Sequence, residues 1–277
     1  DPVQGLLQPS VAAIDGYLIM GEVNNPRWNT VWITGASSGI GLELVRMMVG
    51  RARHIAISAR SQDRLNCLAY DSQSIRAYPL DVTDADAVDE TLTKIQADCG
   101  SVDLVVLNAA AWSAMEMKAF DLDAVRQGME VNYMGVMNGL HAVLPSMLAR
   151  GQGHIAIVAS TAGYRGLPQS AAYGPTKAAL INLAETMRIE LAPLGIKVSL
   201  ICPGFVDTPA TQKNQFSMPG IISASEAARA IVSGLEKGQY DIAFPWLFAR
   251  VMKLLRIIPI GLYFWLVRKF VWRNPTG

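Results

Sequence analysis

Histidine and cysteine are both scarce in this 277-residue chain, three of each, and no two of them stand at metal-ligand spacing. That leaves no basis for a metal site or a disulfide framework. The odd, scattered cysteines (Cys67, Cys99, Cys202) fit a reduced, cytoplasmic-type protein. His54, His141 and His154 each lie beside or within an apolar run and read as structural. Charge is sparse too, at 17% of residues, and no basic stripe interleaves with aromatics, which argues against a nucleic-acid partner. No basic residue precedes Arg27, so a secretory signal with a positive leading region is not expected. The chain opens on Asp1 rather than Met, as a processed or trimmed chain would. No acidic residue follows Asp241, whereas 242–277 holds six basic ones, leaving 18 of the 24 basic and all 23 acidic residues in 1–241. Within that tail the longest uncharged run, 257–267, has eleven residues and is interrupted by Pro259 and Gly261, while a spanning helix needs about twenty. No internal repeat or low-complexity stretch is visible.

What the chain does have is alternation. Short β-branched, apolar runs at 30–33, 54–58, 75–79, 104–107, 154–158, 197–201 and 240–244 alternate with longer stretches of helical periodicity at 42–49, 85–97, 122–148 and 178–191. Ser223 with Glu226 reads as a capping box opening one more helix. Such alternation predicts an α/β fold: a doubly wound parallel sheet of about seven strands, Rossmann-like, with helices on both faces. Ligands are then expected beyond the carboxyl ends of the strands. The expected division is an N-terminal extension at 1–28, one domain at 29–244 and a basic, apolar tail at 245–277.

Gly35, Gly39 and Gly41 fall between the first strand and the first helix, with Ser37, Ser38 and Ile40 among them. Glycines let backbone approach a pyrophosphate, and the helix start supplies free N–H groups and a positive dipole end. The second strand ends at Ala59–Arg60, where a carboxylate would serve a ribose 2′-hydroxyl. A guanidinium suits a 2′-phosphate instead, so the expected cofactor is NADP(H) rather than NAD(H).

The stretch 159–180 is poor in charge, yet it places Tyr173 and Lys177 four residues apart, with Ser160 thirteen before the tyrosine. Residues at i and i+4 share a helix face, and an ammonium beside a phenol favours the phenolate. Gly174 and Pro175 intervene, which is compatible with a helix whose first turn contains the proline.

"TGASSGIG" (34–41), "DV" (81–82), "NAAA" (108–111), Asn132, Ser160, "YGPTK" (173–177) and "PGFVDT" (203–208) occur in order. Together they resemble the short-chain dehydrogenase/reductase family of single-domain type, over roughly 29–244. The resemblance implies that Tyr173 is the acid/base, that Lys177 lowers its pKa and holds the nicotinamide ribose, and that Ser160 positions the reacting oxygen. It implies that Asn132 sits at a break in a long helix and holds a water leading to Lys177. Asp81 and Val82 would lie by the adenine, Asn108 and Ala109 on the adenosine side, and Pro203, Gly204, Val206 and Thr208 by the nicotinamide. Ala109 and Ala111 depart from the family's usual second Asn and Gly, while keeping the side chains small.

Trp112, Tyr164, Leu167 and Phe205, with Phe216 and Met218 from a short lid at 209–222, are expected to line an apolar pocket suited to a lipophilic ketone, aldehyde or alcohol. The tail reads as two short amphipathic helices broken at Pro259, suited to peripheral contact with an anionic membrane face, to a dimer arm or to a flap over the pocket. The expected setting is cytoplasmic, with peripheral contact on the cytoplasmic face of a membrane through the tail, and the expected assembly is a homodimer or homotetramer. Two alternatives compete with an oxidoreductase: epimerase or dehydratase chemistry on the same scaffold, and a catalytically idle NADP(H)-binding membrane adaptor. No Gly-x-Ser-x-Gly elbow surrounds Ser160, which argues against a serine hydrolase.

Overall fold

The computed structural model describes residues 26–272, apart from 71 and 215. Most of the expected N-terminal extension, and Arg273 of the tail, lie outside the described residues. Seven strands form one wholly parallel sheet: β1 (Trp28–Thr34), β2 (Ala52–Ser58), β3 (Ile75–Ala77), β4 (Leu104–Leu107), β5 (Gly153–Val158), β6 (Ile196–Pro203) and β9 (Asp241–Phe244). Their order is β3-β2-β1-β4-β5-β6-β9, so the winding reverses between β1 and β4. A ligand crevice opens at such a reversal, because the loops after β1 and β4 leave in opposite directions.

The strands are apolar on both faces because both faces are covered. Side chains alternate: Val31 and Ile33 join one core with α1 (Gly39–Met48) and α7 (Ala224–Glu236), while Trp32 joins the other with α3 (Ala85–Cys99), α5 (Gly135–Arg150) and α6 (Gly174–Leu191). Trp32 is wholly buried, and its indole N–H finds Ser58 Oγ at 3.0 Å, so its polar atom is satisfied in the core. Ser223 and Glu226 form the expected capping box at the start of α7. Ser223 also closes a small ribbon, β7 (Val206–Asp207) with β8 (Ile222–Ser223).

Several elements differ from expectation. Helix α2 (Gln62–Tyr70) was not expected, because it buries only Leu65 and so has almost no apolar stripe. The third strand stops at Ala77 rather than 79. The long helix expected at 122–148 is α4 (Leu122–Met129) and α5 joined by a π-turn at Glu130–Met134. Helix α6 starts at Gly174, ahead of the periodic stretch at 178–191, with Pro175 in its first turn as expected. After β9 the tail forms α8 (Trp246–Ile257) and α9 (Ile260–Phe270), divided at Pro259. Among the described residues no helix is long and apolar enough to cross a membrane.

One histidine is built into the core as a neutral group. His154 is 5% exposed, and its Nε2 lies 2.8 Å from Ser199 Oγ. The Ser199 hydroxyl proton is given to the Gln239 carbonyl, so Nε2 must be the donor. Burial, then Lys197, Arg188 and Arg27, push its pKa down to about 4. The unfolded chain therefore binds this proton first as pH falls, and stability is full above the ordinary histidine value and lost below it. From pH 7 to pH 5 this one group should remove about 2 kcal/mol. Urea unfolding at the two pH values should show that much smaller a loss in His154→Gln than in the wild type.

Candidate active site

The turn between β1 and α1 is built to bring backbone close to a ligand. Gly35 and Gly39 have φ of 67° and 55°, the left-handed region that favours glycine. A Cβ on Gly41 would stand 2.2 Å from the Gly35 carbonyl oxygen, and one on Gly35 would stand 2.8 Å from Ala109 Cα. Asn108 locks this turn: its Nδ2 donates to the carbonyls of Thr34 at 3.0 Å and Gly35 at 3.2 Å. The Thr34 hydroxyl accepts from the backbone N–H groups of Asn108 and Ala109. Helix α1 has no acidic residue in its first turn and no side-chain cap, so its amino-terminal N–H groups and dipole face the crevice uncompensated.

A cleft of about 1470 Å³ runs from this turn across the strand ends. At the β2 end it is lined by Arg60, Ser61 and Arg64. Sequence reasoning missed the last two because α2 was not recognised as a helix. Asp81 lies nearby. Its Oδ1 accepts from Thr83 N at 3.0 Å and Thr83 Oγ1 at 2.9 Å, and these bonds, with Arg60 further off, hold its carboxyl below the usual range against a smaller opposing effect of burial. Val82 also lines the cleft and packs on Gly135, where a Cβ would approach to 2.7 Å.

Farther along, Ser160, Tyr173 and Lys177 all line the same cleft. Ser160 caps a 3-10 turn at Thr161–Gly163, accepting from Ala162 N at 3.1 Å and donating to the Pro203 carbonyl at 3.3 Å. Tyr173 is the N-cap residue of α6, and its carbonyl accepts the Lys177 N–H at 3.2 Å, so the first helical hydrogen bond joins the two residues. Helix α6 runs tight against the 3-10 turn: a Cβ on Gly163 would stand 2.6 Å from the Lys177 carbonyl carbon. That close approach sets Ser160 beside the tyrosine. Lys177 is 1% exposed; its Nζ donates to the Val158 carbonyl at 2.9 Å and lies 5.5 Å from the centre of the Tyr173 ring.

Burial raises the Tyr173 phenol to about 12, opposed by the neighbouring Ser160 hydroxyl, and burial lowers Lys177 to about 8. In the chain alone, desolvation of the phenolate is the largest influence on Tyr173. The shared-face geometry is present, with the Lys177 ammonium within cation–π reach of the Tyr173 ring.

Asn132 lies in the π-turn, fully buried behind the cleft rather than on it. Its Oδ1 accepts from Ala111 N at 2.7 Å, and its Nδ2 donates to Ala111 O at 3.0 Å and Thr176 Oγ1 at 3.1 Å. Thr176 Oγ1 in turn donates to the Tyr173 carbonyl at 2.8 Å. Both amide hydrogens thus serve protein groups, and Asn132 ties the loop after β4 to the start of α6.

Trp112, Leu167, Phe205 and Phe216 line the cleft together with Pro203, Gly204, Val206 and Thr208. Trp112 stacks edge-on against Tyr173 with ring centroids 4.7 Å apart, and its indole N–H donates to Asn214 Oδ1 at 2.9 Å. Besides Asn132, three expected positions are not on the cleft. Gly39 sits beneath Thr208, whose Cγ2 a Cβ would meet at 3.0 Å. Met218 lies one layer out, its sulfur accepting from Asn214 Nδ2 at 3.5 Å. The 3-10 turn rotates Tyr164 into the core beside Cys202, where burial raises its pKa. In their place the tail contributes Phe248, Met252, Phe270, Val271 and Trp272, which close the apolar end of the cleft. A flap over the pocket is one of the three readings of the tail, but which of its side chains reach the cleft depends on how it packs back. Among the described residues no cluster of His, Cys, Asp or Glu could hold a metal ion.

Comparison with known proteins places this geometry in a family. Residues 29–218 match the family model described as short chain dehydrogenase. An uncharacterized oxidoreductase of Myxococcus xanthus is 34% identical over 240 residues, covering 85% of this chain and 95% of the relative. An uncharacterized oxidoreductase of Mycobacterium tuberculosis is 29% identical over 237 residues, covering 83% and 93%. Among solved structures, a short-chain dehydrogenase of Burkholderia cenocepacia in complex with NADP superposes with a TM-score of 0.76 at 25% identity, covering 89% of this chain and 99% of that one. A short-chain dehydrogenase of Streptomyces avermitilis gives 0.74 at 26% identity, covering 87% and 96%. With the reversal crevice, the glycine turn and the Ser–Tyr–Lys wall in one chain, this protein belongs to the short-chain dehydrogenase family and is an oxidoreductase of that type.

Proposed function

We propose that the protein interconverts a ketone or aldehyde and an alcohol on a lipophilic substrate, using NADP(H), with Tyr173 as the acid/base. The observation that carries this reading is the arrangement of one cleft, with two guanidiniums at one end, Ser160, Tyr173 and Lys177 in its wall and an apolar chamber at the other end.

The residues present fit a dinucleotide phosphate. The Gly35–Gly41 cradle leaves no room for a Cβ, the α1 amino terminus is free of carboxylates, and Arg60 and Arg64 line the far end. When bound, the dinucleotide supplies or accepts the hydride. The chain's own residues handle the proton and the oxygen. A phenol held at about 12 is protonated across the physiological range, so Tyr173 is poised to donate a proton to a carbonyl oxygen as that oxygen gains charge. Ser160, whose hydroxyl can rotate away from the Pro203 carbonyl, would donate a second hydrogen bond to the same oxygen. Lys177 has one N–H committed to Val158 and keeps the others for ribose hydroxyls. Its ammonium, together with a cationic ring in the oxidised cofactor, would favour phenolate when the reaction runs toward the ketone. Trp112, Leu167, Phe216 and the tail residues exclude water from the chamber and offer no charge to a substrate, which favours an apolar one. The NADP complex of the Burkholderia relative is consistent with the choice of cofactor.

Absorbance at 340 nm with NADPH and a panel of hydrophobic ketones tests the assignment. Tyr173→Phe should lower kcat roughly 10³-fold, within the usual range for loss of a general acid. NADPH binding should stay near wild type; unchanged turnover would end the proposal. Arg60→Ala and Arg64→Ala should each reduce the kcat/KM preference for NADPH over NADH by about tenfold or more, the worth of a charge-assisted hydrogen bond. With the phenol as the proton donor, reduction should hold steady from about pH 6 to pH 8, while oxidation of the alcohol should rise with pH as phenolate forms. A reduction rate that climbs with pH over that interval would assign the proton to another group.

A further inference from the structure

The two tail helices are apolar inward and outward, and among the described residues only the inward face is covered. Ala249, Met252 and Tyr263 are buried against the domain. Arg165 fastens the tail there: its guanidinium donates to the carbonyls of Leu255 at 2.5 Å and of Arg256 and Ile258 at 3.3 Å, capping the end of α8, and it lies 4.6 Å from the Tyr263 ring centre. The Tyr263 hydroxyl donates to the Gly166 carbonyl. Because the tail is bolted down in this way, its opposite side is held outward as a fixed surface. On that side Trp246, Leu247, Leu254, Ile257, Phe264 and Trp265 are 52–78% exposed.

Among the described residues of the two helices, every charge accompanying this face is positive. Arg250 stacks on Trp246 at 4.6 Å, and Lys269 lies 4.8 Å from the ring centre of Trp265. Arg268 and Lys269 border a shallow recess with Gly261, Phe264 and Trp265. From 246 to 272 there is no Asp, Glu, Asn, Gln, Ser or Thr. A protein-binding face would carry a rim of such hydrogen-bonding groups. A symmetric contact between two copies would set these cations against one another without a carboxylate to meet them. An anionic bilayer meets all three features at once: acyl chains for the aliphatic side chains, the interface for tryptophan, and phosphate for Arg and Lys.

We propose that the outward face of α8 and α9 docks the protein on an anionic lipid surface. Phe248 and Trp272 of the same tail wall the substrate cleft, so docking sets the apolar end of that cleft beside the bilayer. This second half rests on the oxidoreductase reading, whereas docking itself does not, since it is measured without turnover.

Flotation of the full chain with vesicles of phosphatidylcholine containing phosphatidylserine decides the matter. The protein should rise with these vesicles, less with phosphatidylcholine alone, and less at about 1 M than at about 0.1 M salt, where screening shortens the reach of surface charge. Arg268→Gln and Lys269→Gln should each lower partitioning about fivefold. Leu254→Glu with Phe264→Glu should abolish it, with near-UV circular dichroism and NADPH binding unchanged to show an intact fold. The proposal is overturned if the wild type stays with the soluble fraction, or if the double glutamate variant still floats. It is equally overturned if the wild type does not float and sedimentation shows a dimer that the same variant turns into a monomer, for then a second copy covers the face.

Discussion

A lysine ammonium with no carboxylate partner among the described residues, buried to 1% exposure between strand β5 and helix α6, is the constraint on which the site turns. Bringing its pKa from the ordinary value down to about 8 corresponds to roughly 3 kcal/mol against the charged form. A fold that carries such a group must hold it by geometry. The Val158 carbonyl takes one proton, the Tyr173 ring lies within cation–π reach, and Gly163 lets the helix close on the turn that presents Ser160. Asn132 braces the same corner from behind through Ala111 and Thr176. These contacts fix where a phenol, a hydroxyl and an ammonium stand relative to one another, at a cost in stability that the surrounding sheet must absorb.

Electrostatic duties are divided along the cleft. Its β2 end carries guanidiniums and its middle carries the helix dipole of α1, both suited to anions. Among the described residues that line it, the end formed by Phe205, Phe216 and the tail carries no charge. A polyanionic molecule would suit the first half and an oily one the second, as the proposed cofactor and substrate would, with Tyr173 between them.

Much of this was legible in the sequence, and the exceptions have physical reasons. The parallel sheet showed itself because strands buried on both faces must be continuously apolar, as in Val31–Ile33 and Leu104–Leu107. The glycine turn and the Tyr–Lys spacing showed themselves because backbone approach and helical pitch are local constraints. Helix α2 did not, since a helix that buries one leucine leaves no periodic trace, and Arg64 was hidden with it. Tyr164 was misplaced because nearness in sequence to Ser160 says nothing of the rotation a 3-10 turn imposes. The tail's part in the cleft depends on Arg165 meeting the carbonyls at the end of α8, a contact some ninety residues apart that no local pattern encodes.

The indole of Trp112 faces two ways. Its edge meets the Tyr173 ring while its nitrogen is bound to Asn214, in the segment that crosses the cleft mouth. Whatever moves that segment to admit or release a molecule must break this bond or drag the indole, and with it the surface against which the phenol rests. If Tyr173 is the acid, as proposed above, a shift of that segment and the aim of the proton donor would be coupled through this single side chain.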